Sequence, residues 1–107
     1  MDSQEIHLIA TLKPLPGKMD ELAGHFAEVA KKIHATEPGT LTWYAIRPDG
    51  GDELIVVERY KDSQAQQVHS NSGHLKALSE SVGPLLAAPY QLKIGRQVAG
   101  FRREERL

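Results

Sequence analysis

The densest group of residues able to do chemistry is Glu58-Arg59-Tyr60-Lys61-Asp62, followed by His69 and His74. An imidazole with an unperturbed pKa near 6.5 exchanges protons at neutral pH, so His69 is a candidate general base or polar anchor. It stands beside Val68 and four residues after Ala65, on or near the apolar side of a helix. The alternative is a structural histidine bonded to a nearby carbonyl or carboxylate. His74 follows a glycine at a helix break and can turn inward or face solvent. As metal ligands the two are poorly spaced: on an unbroken helix, i and i+5 lie about 140° apart at roughly 100° per residue. Glu58 shares strand parity with Leu54 and Val56, which predicts a half-buried, paired carboxylate, with an arginine at the rim as the simplest partner. Trp43, Tyr44 and Tyr60 could line a flat pocket for an aromatic ligand, or serve as core and contact residues.

These groups must be held by a small frame. The chain has 107 residues, enough for one domain, with a core over about 5–101 and a charged tail over 102–107. There are 13 Lys+Arg against 14 Asp+Glu, a balance that lacks the footprint of nucleic-acid binding. The absence of cysteine excludes thiolate catalysis, disulfides and cysteine-held metal. There is no Gly-rich phosphate loop, no nucleophile elbow and no dinucleotide fingerprint. No apolar run approaches the roughly 20 residues of a membrane helix, and the polar start lacks a leader pattern. The expectation is a cytoplasmic protein that binds neither nucleic acid nor membrane.

Period-two alternation over 5–13 predicts a strand, stopped by Pro14 and Pro16-Gly17. Met19, Leu22, Phe26, Val29 and Ile33 fall at helical spacing, predicting a helix over 18–36 that ends at Glu37-Pro38-Gly39. Residues 40–48 and 53–60 read as two antiparallel strands joined by Asp49-Gly50-Gly51-Asp52. Asp62 can cap a helix over 63–71. Helical pattern resumes over 74–78 and again over 79–86, and 90–101 reads as a last strand bent at Gly95. The order strand, helix, strand, strand, helices, strand is the ferredoxin-like split βαβ arrangement, an α+β fold with one four-stranded antiparallel sheet and its helices on one face. The strands are apolar at both parities, so a second face is left for burial, and a homodimer through the sheets is the expected remedy.

The run Glu58-Arg59-Tyr60-Lys61-Asp62, then Ala65, His69, Ser72 and His74, resembles the antibiotic biosynthesis monooxygenase family of the dimeric α+β barrel superfamily. The resemblance extends from about residue 5 to 101, through Lys13-Pro14, Pro16-Gly17-Lys18 and Glu37-Pro38-Gly39. It implies a pocket between sheet and helices and a cofactor-independent, metal-free monooxygenase that oxidises a quinol-like or polyphenolic small molecule with dioxygen. On that implication His69 is the base, His74 and Tyr60 orient the substrate or bond to its oxygen, Trp43 stacks on it, and Glu58 and Ser72 complete its binding. Heme-degrading relatives carry an Asn on the first strand and a Trp just after the third; residues 5–13 hold no Asn and the single Trp is Trp43, in the second strand. Another branch processes a small phosphorylated carbonyl quorum signal; this would call for inward-pointing cations, with Arg47, Arg59 and Lys61 as candidates. A non-catalytic, stress-related binding dimer would instead engage its histidines structurally, with no cavity beside them.

Overall fold

A computed structural model describes residues 4–104, and the end of the predicted tail, 105–107, lies outside the described residues. Strand β1 (Ile6–Leu12) buries its even positions, as its alternation requires. The chain turns through Gly17, whose φ of +80° suits a residue without Cβ, into helix α1 (Met19–Thr36). Leu22, Phe26, Val29 and Ile33 form the buried stripe of α1, and Asp20 and Glu21 sit in its first turn, favourable to the helix dipole. Strands β2 (Thr40–Ile46) and β3 (Leu54–Tyr60) form the predicted hairpin, with Gly50 at φ +71° in the turn. Helix α2 (Ser63–Ser70) starts at Asp62, whose carboxylate accepts the Ala65 N–H at 2.8 Å.

The sheet order is β2-β3-β1-β4, antiparallel throughout. With the helices gathered on one side, this is the ferredoxin-like α+β fold. The helix side takes Leu8, Ala10, Val56 and Leu54 into the core. The other side carries Ile9, Tyr44 and Ile46, each 46–49% exposed, beside Ile55 and Val57.

Two elements differ from the sequence reading. The stretches 74–78 and 79–86 are one helix, α3 (Gly73–Val82), followed by a single 3₁₀ turn over Gly83–Leu85. Strand β4 (Gln91–Gly95) stops at Gly95 instead of running to 101. The reason is register: Gly95 pairs with His7, at the start of β1, so the ladder runs out of partner.

Candidate active site

One carboxylate organises the site, and it is one that the sequence pattern offered only as a helix stop. Glu37 follows α1, its own N–H donating to the Ile33 carbonyl at 2.9 Å while its carbonyl accepts from Thr40 at 3.0 Å. This tight exit turns the side chain under the sheet end, where it is 5% exposed. Its Oε1 accepts from the Thr40 hydroxyl and from His69 Nδ1, each at 2.8 Å, and its Oε2 accepts from His74 Nε2. Burial alone would raise its pKa. The hydrogen bonds from His74, Thr40 and His69 outweigh that cost and hold Glu37 below the ordinary carboxylate value. An ionised carboxylate is acceptor-only, so both imidazoles must donate to it. In the neutral form of His69 the proton therefore sits on Nδ1 and the lone pair on Nε2.

His69 Nε2 faces the second buried carboxyl, Glu58, 3.7 Å from its Oε1. Glu58 is not at a rim and has no arginine; Arg59 pairs instead with Glu5 on the other face, and donates to the Thr42 hydroxyl at 3.2 Å. The partner of Glu58 is Tyr60, whose hydroxyl donates to Oε1. Burial raises the Glu58 pKa, against the pull of the Tyr60 hydrogen bond and of His69. Burial, then the neighbouring Glu58 charge, also pushes the Tyr60 phenol up, which keeps Tyr60 a donor.

The approach of α2 makes this contact possible. A Cβ on Gly39 would lie 2.6 Å from the Ala65 Cβ, so only glycine lets α2 sit this close to the turn that carries Glu37. Ser72 then ends the α2–α3 corner: its hydroxyl donates to the His69 carbonyl at 2.8 Å and accepts the Leu75 N–H at 3.2 Å. Because the two histidines stand on separate helices across this corner, the angle of an unbroken helix does not apply, and both reach Glu37.

A cavity of about 620 Å³ opens beside the pair, between the helix side of the sheet and α2–α3. Glu58, His69, Trp43 and Ser72 line it; Tyr60 and His74 do not. Tyr60 is fully buried and reaches the cavity only through Glu58, and His74 only through Glu37 and then His69. Trp43 stacks on Phe26, with ring centroids 5.7 Å apart and planes 14° from parallel, so one indole face is already occupied. Ser72, although on the wall, commits its hydroxyl to the helix corner. Arg59 and Lys61 line a separate surface hollow with Glu5, and Arg47 another, so none of the three lies in the cavity.

The profile of the family described as antibiotic biosynthesis monooxygenase matches residues 5–81. The chain belongs to this family. Among solved structures, a candidate antibiotic biosynthesis monooxygenase from Caulobacter crescentus is 28% identical, with a TM-score of 0.85 over 92% of this chain and 93% of that one. A Mycobacterium tuberculosis protein (23% identity, TM-score 0.83, 90% and 97% covered) and a Nitrosomonas europaea protein of unknown function (24%, 0.80, 98% and 100%) share the fold. No curated protein matches the chain. Family members are named for monooxygenase activity, and the site described here lies mostly within the matched segment. Among the described residues, no helix is long and apolar enough to cross a membrane.

Proposed function

We propose that this family member is a monooxygenase that oxidises a quinol-like or polyphenolic molecule with dioxygen, without a cofactor. The observation that carries the reading is the pair of buried carboxyls pushed in opposite directions on either side of His69, next to an apolar cavity. Environments that separate two acids in this way assign acid and base roles. His69 Nε2 takes the phenolic proton, and Glu37 stabilises the imidazolium that results. Glu58, kept neutral, accepts from Tyr60 on Oε1 and places its own proton on Oε2, free to donate to the phenolate oxygen. Walls of Leu8, Val56, Phe26 and Leu78 exclude water from the ring.

The electron-rich phenolate then reduces dioxygen directly. For a naphthoquinol the balance is quinol plus O2 giving hydroxyquinone plus water: one oxygen atom enters a ring C–H position, and the other leaves with two hydrogens of the substrate. The protein's part is to bind the ring, move the proton and keep the site dry.

The exposed apolar face of the sheet supports a homodimer packed through that face, since a soluble monomer rarely leaves such a patch open. A cytoplasmic location fits the same picture.

The test is oxygen uptake by metal-stripped protein given freshly reduced naphthoquinol, with superoxide dismutase and catalase present. Saturable uptake that collapses in His69→Ala is the expected result. Absence of uptake across several quinols would overturn the reading, and uptake unchanged in the variant would remove His69 as base.

A further inference from the structure

The cavity is polar at both ends, but in different ways. Its inner end holds the only carboxyl among the lining residues, Glu58, together with His69. Its mouth is formed by exposed residues of the α2–α3 corner and of α3, namely Ser70, Asn71, Lys76 and Ser79. Lys76 is the only lysine or arginine on the lining. It forms no ion pair with any described residue, Glu80 one turn later included. From the α3 cap Ser72, Lys76 and Ser79 follow at i+4 and i+7, which keeps the lysine on the stripe that borders the cavity. Between the two ends the walls are apolar. A cation facing a low-dielectric wall attracts an anion more strongly than one in open water.

We propose that Lys76 selects ligands that carry a carboxylate remote from the reacting ring, so that this site takes hydroxylated aromatic acids in preference to neutral phenols. The inference rests on the reading of the cavity as an aromatic site. A single ammonium balances a monoanion, whereas a phosphate dianion would retain an unmatched charge at the mouth. The phenolic end then meets His69 and Glu58, and the acid end stays at the entrance, where its solvation is only partly lost.

The experiment is calorimetric binding of 6-hydroxy-2-naphthoate and 6-hydroxy-2-naphthamide, a near-isosteric pair that differs in charge. Full-length protein and Lys76→Met, which keeps the aliphatic stem, are compared at low and high salt. The expected result is a preference for the acid of about fivefold at low salt, the scale of one partly exposed ion pair. It shrinks at high salt as screening shortens the reach of the charge. In Lys76→Met the acid loses its advantage while the amide binds as before. Equal affinities in the unmodified protein, or a preference that survives in Lys76→Met, would overturn the proposal and leave the proposed oxygenation standing. A Lys76-dependent preference without quinol-driven oxygen uptake would uphold the proposal and defeat the oxygenation reading. Failure of both ligands to bind would overturn the proposal, and quinol-driven oxygen uptake would decide the oxygenation reading separately.

Discussion

The two faces of the one sheet are built from strands of similar composition, yet they do opposite things. On the outer face Ile9, Val57, Tyr44 and Ile55 form an apolar surface, and its charged groups, Arg59 with Glu5 and Lys93 opposite Ile9, lie in or beside it without being buried among the core. On the helix face, the same strands insert Glu58 and Tyr60 among Leu54, Val56 and Leu8, and helices bring His69 and Glu37 to meet them. The outer face is a problem of exposed apolar area. The inner face is a charge problem: each buried polar group must find a partner or change its protonation state. Glu37 finds three donors and is held below the ordinary carboxylate value; Glu58 finds one and is pushed above it by burial.

The largest effects should come from the charge side. Glu37→Gln replaces the acceptor of two imidazoles with an amide, which frees the His69 tautomer. Oxygen uptake should fall by about 100-fold, the lower range for loss of a positioned acid–base group. Uptake that stayed within a few-fold of the unmodified protein would mean that His69 does not need Glu37. On the area side, Ile9→Asp places a charge in the middle of the apolar face. Light scattering is then expected to report a dimer for the unmodified protein and a monomer for the variant, with the far-ultraviolet spectrum retained; a persistent dimer would locate the contact elsewhere.

Gly39→Ala tests the approach of α2 that joins the two carboxyl regions. The 2.6 Å clash has to be relieved by backbone movement, costing about 1–3 kcal/mol of stability in urea titration. An unchanged midpoint would show that α2 is free to shift. A smaller effect separates the two acids by pH. A carboxyl raised by burial holds its proton more tightly folded than unfolded, so the contribution of Glu58 is complete below pH 4.5 and is lost as pH rises through its folded value. Glu37, lowered, contributes above pH 4.5, and that contribution is lost as pH falls through its folded value. Relative to the unmodified protein, Glu58→Gln should therefore gain stability on the alkaline side of 4.5, and Glu37→Gln on the acid side. Parallel pH profiles would contradict the assignment. The mildest change is Trp43→Phe. It keeps an aromatic ring against Phe26 and removes an indole N–H that is buried without an acceptor, so stability should change by less than about 1 kcal/mol.

Much of the frame was legible because each element announces itself locally. The 3.6-residue stripe of α1, the alternation of β1 and the Gly50-Gly51 turn depend only on neighbours in the chain. Local pattern fails where a distant partner decides: β4 ends where β1 begins, and no pattern within 90–101 records that. The site shows the same division. His69, Glu58 and Tyr60 stood out as titratable groups interrupting apolar parity. Glu37 did not, because an acid before Pro-Gly reads as punctuation. A signal was present in retrospect: two histidines at a helix corner with no carboxylate within helical reach require an acceptor from elsewhere, and an acid at a tight turn between two buried elements is well placed to supply it.

Residue types, their periods and their order along the chain suffice for the fold class, the apolar parity of both sheet faces and the short set of residues able to exchange protons. These follow from local sterics and from the burial that each period allows. Which face the helices cover, which ring nitrogen of His69 meets Glu37, and which of two buried acids is pushed up and which down follow only from the folded chain. Each depends on groups far apart in sequence (Glu37 and His69 are 32 positions apart) meeting within 3 Å in a buried place, where the number of donors each acid finds sets the direction of its shift.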